Sequence, residues 1–170
     1  MEETAYLDLI EGRLAAYFDI ERPAEYQRYP LAMYASSSIR NERYFASKKI
    51  KVYAIENKEH VFIKTIDRLT ERNLEDFWQM LVKAADELPE PHEEHMSTII
   101  NGIILTTANP DPLLQQIIQK KKYEKSFLFG LKGWVYVRLV IVNLHDVSLV
   151  HNKRGKEVNE LYGPAKPTLP

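Results

Sequence analysis

Residues 127–142 read FLFGLKGWVYVRLVIV and lie a few residues after Lys120, Lys121 and Lys122. Val135, Val137, Leu139 and Ile141 form an unbroken aliphatic row at period two, which is the spacing of one face of a strand. The alternate row, Trp134, Tyr136, Arg138 and Val140, carries a cation at its centre. The run is shorter than the ~20 apolar residues a membrane helix needs and contains Lys132 and Arg138. It therefore predicts a buried strand with Arg138 on the face to watch.

On the N-terminal side of this run, Asp111 and Pro112 are an N-cap and first helical residue, followed by Leu113, Leu114, Ile117 and Ile118 at helical spacing. Lys120–Lys122 then sit favourably at that helix's C-terminus. Residues 97–107, STIINGIILTT, are β-branched and apolar on both faces, as in a central strand. Leu74, Phe77, Trp78, Leu81, Val82, Ala85 and Leu88 predict a helix stopped by Pro89 and Pro91. Before it, 50–55 and 60–66 alternate as strands, with Asn57-Lys58 read as the turn between them. Residues 5–18 read as an amphipathic helix and 21–38 as an aromatic-rich connection. Past Lys122, strands are expected near 123–129, 134–143 and 147–151, then a short helix near 156–162.

The fold class that follows is α+β: one domain over 1–162, its mixed, mostly antiparallel sheet of about five to six strands packed with about three to four helices. Residues 163–170 are expected to be a flexible Pro/Gly-rich tail.

The chain has 170 residues, 45 % hydrophobic and 28 % charged, with no cysteine. Disulfides, thiolate metal sites and cysteine nucleophiles are thereby excluded. The acidic start, MEETAYLDLIEGRL, lacks the pattern of a signal peptide, so a cytoplasmic location is expected and no membrane association. A net charge of −1 argues against bulk affinity for nucleic acid. No cofactor motif is present: Gly130–Gly133 is too short for a phosphate loop and suits a turn.

His92-Glu93-Glu94-His95 is the densest group of metal-ligand types, but it follows two prolines and reads as an acidic loop, so no metal site is expected. No serine has a nucleophile-elbow setting. The order helix, strands, helix, strand over about residues 5–107 resembles the core of restriction-endonuclease-like nucleases. In that family two acids and a lysine on adjoining strands hold the catalytic metal. The resemblance implies Glu56 as the first acid and Lys64 as the lysine, with Phe62 standing where the second acid belongs.

Polar residues set among central strands must be satisfied or used. If their strands are neighbours in register, Lys64, Asn101 and Arg138 converge, with Tyr53, Trp134 and Tyr136 as walls. Two cations, an amide and aromatic rings suit an anionic or planar ligand. The alternative is that Lys64 and Arg138 are solvent-side residues of a half-wet sheet.

With no catalytic constellation assembled, the leading expectation is a non-catalytic binding or interaction module with a protein partner or a small anionic ligand. Its alternatives are an enzyme or ligand-binding protein for an anionic substrate, a degenerate nuclease included, and a weak nucleic-acid binder. An interaction module would show an exposed apolar patch, with Tyr26, Tyr29, Tyr34 and the 21–38 segment as the expected source, or a paired edge strand.

Overall fold

The computed structural model describes residues 1–44, 51–146 and 148–163, and the side chains of all of these except 41–44 and 51–55. Four α-helices, α1 (Glu3–Leu14), α2 (Glu71–Glu87), α3 (Pro112–Lys120) and α4 (Asn159–Tyr162), accompany nine strands. These are β1 (Asp19–Glu21), β2 (Ala24–Tyr26), β3 (Tyr29–Leu31), β4 (Met33–Tyr44), β5 (Lys51–Thr65), β6 (His95–Thr106), β7 (Glu124–Ser126), β8 (Trp134–Asn143) and β9 (Leu149–His151). The main sheet has seven strands, slightly more than expected, in the order β1-β4-β5-β6-β8-β7, with β9 also on β8; β2 and β3 form a separate hairpin.

β5, β6 and β8 run parallel, because α2 and α3 carry the chain back across the sheet between them; every other pairing is antiparallel. The α+β class therefore holds. The expected turn at Asn57-Lys58 does not exist, since β5 runs through it for 15 residues. Each polar residue is satisfied in place: Asn57 Oδ1 accepts from Ser97 Oγ at 2.7 Å, and Lys58 pairs with Glu90 at 2.5 Å. The stretch 21–38, read as a connection, supplies β2, β3 and the first half of β4, and the tail beyond Gly163 lies outside the described residues.

The sheet is covered on both faces. On one, α2, α3 and the β2–β3 hairpin bury Phe62, Ile100, Ile104, Val137, Leu139 and Ile141. On the other, α1 and α4 bury Met33, Val61, Ile63, Ile103, Val140 and Val142. Tyr26 and Tyr34 pack edge-on or tilted against Phe62 (ring centroids 5.1 and 5.0 Å), and Tyr29 lies 6.1 Å from Phe77. These tyrosines are thus part of the packing and form no exposed patch.

α2 begins with a capping box in which Thr70 Oγ1 accepts from Asn73 N–H and Asn73 Oδ1 from Thr70 N–H. It presses so closely on β6 that a Cβ at Gly102 would lie 2.2 Å from Leu81 Cδ1. α3 starts as its sequence predicts, with Asp111 Oδ1 accepting from Leu114 N–H at 2.9 Å. No described helix is long and apolar enough to cross a membrane.

Candidate functional site

Parallel register places Asn101 of β6 directly beside Arg138 of β8, on the face that carries α1 and α4. Glu59 of β5 joins them: Glu59 Oε1 accepts from Asn101 Nδ2 at 2.8 Å and from Arg138 Nη1 at 3.3 Å. From the other side Arg138 Nη2 donates to Glu157 Oε2 at 2.8 Å and to Tyr136 Oη at 3.1 Å. Arg154 continues the network to Glu157 Oε1 (3.1 Å) and Glu124 Oε1 (2.8 Å), its guanidinium 4.6 Å from the Tyr136 ring centre.

Burial alone would raise the Glu157 carboxyl, but hydrogen bonds from Arg138 and Arg154 outweigh it and hold it below the usual carboxylate range. Arg138, with 11 % of its side chain exposed, thus faces two carboxylates. An anion arriving there would have to displace a bonded carboxylate, so the arrangement suits a structural polar network more than an anion site.

Lys64 does not join it. Val61 is the residue of β5 in register with Asn101, and Lys64, an odd number of steps further on, projects from the opposite face. There Lys64 Nζ donates to Pro30 O at 2.7 Å and lies 5.1 Å from the Tyr29 ring centre. The expected grouping of Lys64, Asn101 and Arg138 is therefore corrected: two converge and the third is elsewhere. Of the expected walls, Tyr136 touches Arg138, Trp134 shares that face but is 41 % exposed, and the side chain of Tyr53 lies outside the described residues.

The nuclease-like element order is present as α1, antiparallel β1, β4 and β5, then α2 and β6. Its site is not assembled in the expected way. Glu56 and Lys64 stand roughly 26 Å apart along β5 at ~3.3 Å per residue. Glu56 instead bonds His92 Nε2 at 2.7 Å and accepts from Ser38 Oγ at 3.3 Å. His95 is buried; its Nδ1 donates to Lys132 O at 2.8 Å and its Nε2 accepts from Thr98 Oγ1 at 2.9 Å. Among the described residues no three His, Asp or Glu are grouped to hold a metal ion.

The least ordinary surface lies at the start of the run that opened the sequence. Residues 127–133 are not strand: they close a tight loop between β7 and β8, containing a single 3₁₀ turn. Phe127 N–H donates to Gly133 O (2.9 Å), and Lys132 N–H and Gly130 N–H both donate to Phe127 O (3.1 and 3.0 Å). Leu128 and Phe129 adopt left-handed φ of 46° and 55°, unusual for residues with a Cβ, and Gly130 follows at 88°. Gly133, at φ 82°, leaves no room for a Cβ, which would meet His95 Nδ1 and Met96 O at 2.6 Å. His95 anchors the loop from below, bonding Lys132 O and packing edge-on at 6.0 Å from the Phe127 ring.

Beyond this anchor the loop holds Leu128, Phe129 and Leu131 in solvent, 58, 102 and 80 % exposed, next to Trp134. The sequence places Leu128 and Phe129 in a strand because their types are apolar, and Leu131 in the turn Gly130–Gly133. The signal against it was the pair Gly130 and Gly133, which interrupts the period-two alternation that begins only at Trp134.

No curated protein and no solved structure matches the chain. A match to the family described as a domain of unknown function, DUF8052, extends over residues 2–164, and the chain belongs to that family.

Proposed function

We propose that the protein is a non-catalytic interaction module that docks onto an apolar groove of a partner protein through its 127–133 loop. The observation that carries the reading is the full exposure of Phe129 on a backbone that is internally hydrogen-bonded. Leu128, Phe129, Leu131 and Trp134 together present on the order of 500 Å² of apolar surface, near the upper end for a monomer. A pre-ordered loop binds without a large entropic penalty for ordering it, and a projecting aromatic entering a pocket is the usual form of an interface hot spot.

A protein groove is favoured over an anionic bilayer by the mixed charge beside the loop, where Lys125 is paired with Asp86 at 3.1 Å.

The test is photo-crosslinking in the cells that make the protein, with benzoylphenylalanine at position 129 and, as control, at Tyr17, another exposed aromatic position. A discrete heteromeric adduct from position 129, absent from position 17 and lost on Leu131→Asp, is the expected result. Adducts of equal pattern from both positions, a crosslinked homodimer, or flotation of the purified protein with lipid vesicles would each overturn the reading.

A further inference from the structure

Two lysine-rich clusters that are far apart in sequence, 120–122 and 153–156, meet along the outer edge of β8. Asn152, 1 % exposed, brings them together. Its Nδ2 donates to Val137 O and to Lys121 O, both at 3.1 Å, while its Oδ1 accepts from Leu139 N–H (3.0 Å) and Gly155 N–H (2.7 Å). One amide thus takes the place of a strand in the gap between β7 and β9 and fixes the end of α3 against the turn after β9.

Over this junction lies a cleft of about 450 Å³, lined by Lys120, Lys121, Lys122, Lys153 and Arg154 against the carboxylates of Glu124 and Glu157. A second recess of about 340 Å³ shares Gln119, Asn152 and Lys153 with it and adds His151 and Lys156. The cations differ in what already holds them. Lys121 is committed to Glu75 and lies 5.5 Å from the Trp78 ring centre, Arg154 is held by Glu124 and Glu157, and Lys122 reaches Glu124 at 3.7 Å. Lys120, Lys153 and Lys156 pair with no carboxylate among the described residues. In a chain whose net charge is −1, two adjoining recesses that gather three unpaired ammonium groups, Lys120 and Lys153 in the first and Lys153 and Lys156 in the second, are an uneven use of charge.

We propose that this cleft binds a small polyanion carrying more than one phosphate group. Unpaired ammonium groups from two separate segments, the end of α3 and the turn after β9, line the adjoining recesses and favour charge spread over several phosphates rather than one. The combined recess is of the size that holds small-molecule ligands. A nucleic-acid backbone is the poorer fit, because beyond the cleft Lys125 is already neutralised by Asp86. The cleft is separate from the 127–133 loop, and neither proposal depends on the other.

The test is isothermal titration of the full chain with sodium tripolyphosphate, beside orthophosphate and a single-stranded 20-mer DNA. Tripolyphosphate is expected to bind at least about tenfold more tightly than orthophosphate. Lys153→Ala/Lys156→Ala is expected to weaken it at least about tenfold, while Lys125→Ala/Lys132→Ala, which removes the same charge elsewhere, changes it less than about twofold. The proposal is overturned if tripolyphosphate does not bind, if both pairs of substitutions weaken it equally, or if the DNA binds and tripolyphosphate cannot displace it. Lys125, Lys153 and Lys156 are exposed and Lys132 is half-buried, and an unchanged circular dichroism spectrum confirms that the comparison is between folded proteins.

Discussion

Arg138 was conspicuous in the sequence because a cation in the middle of a buried row must be satisfied, and the structure satisfies it with Glu59, Asn101, Tyr136 and Glu157. Arg138→Ala leaves the Glu59 carboxylate, 28 % exposed, without its cation, and a loss of roughly 2–3 kcal/mol in unfolding free energy is expected from urea denaturation. In the double variant Glu59→Gln/Arg138→Met the loss should fall short of the sum of the two single losses by about 1–2 kcal/mol, because the residues share one network. Lys64 shows the limit of reading at this scale. Its type was as suggestive as that of Arg138, but the parity that puts it on the far face depends on a strand register that only the fold defines.

His60 carries a pH dependence. Its ring stacks on Tyr34 with centroids 6.1 Å apart, and Tyr34 Oη bonds its Nδ1 at 2.8 Å. Burial, aided by Lys58, depresses its pKa to about 4. The unfolded chain therefore takes up this proton first. The contribution is complete above about pH 6.5 and is lost as pH falls towards 4, to a total of about 3 kcal/mol. Stability measured from pH 7 to 4.5 should thus fall more steeply for the wild type than for His60→Gln; parallel curves would show that the ring is not buried in its neutral form.

Among the elements, those with a sharp local signal were legible in advance. The capped start of α3 and the period-two run of β8 match their readings nearly residue for residue, since each depends on neighbours in sequence. β5 was broken in two by reading Asn57-Lys58 as a turn. In the structure, partners on β6 and from the segment after α2 supply the hydrogen bonds that a turn would otherwise have needed. Phe127, Leu128 and Phe129, expected in a strand, depart in the opposite sense: hydrophobicity says that a side chain gains by burial, not that burial occurs.

Asn152 belongs to this scale too, because one side chain completes the edge of the sheet. Asn152→Ala strands two N–H and two C=O groups in a buried position and should cost at least about 3 kcal/mol, with faster amide exchange at Leu139 and Gly155. Exchange at those amides unchanged from wild type would show that water or backbone can replace the side chain.

At the scale of the molecule, both faces of the sheet are occupied by helices, and its edge strands β1, β7 and β9 are short, β1 pairing only with Tyr34–Ser36 of β4. The polar side chains that sequence reading selected are largely turned towards one another. What remains turned outward is the apolar 127–133 loop and, separately, the lysine-lined cleft beside α3. The apolar loop runs against the stability of the isolated chain, with Phe129 fully exposed and held at a φ that favours glycine. Such local costs are retained where a surface serves binding rather than folding.

That distinction is measurable in the unfolding free energy of Phe129→Gly/Leu131→Ser against the wild type. Stability unchanged or raised by up to about 1 kcal/mol is expected, because the left-handed backbone is relieved and no packing is lost. A fall of more than about 1 kcal/mol would show that these side chains support the fold, and would contradict the assignment of the loop to a partner.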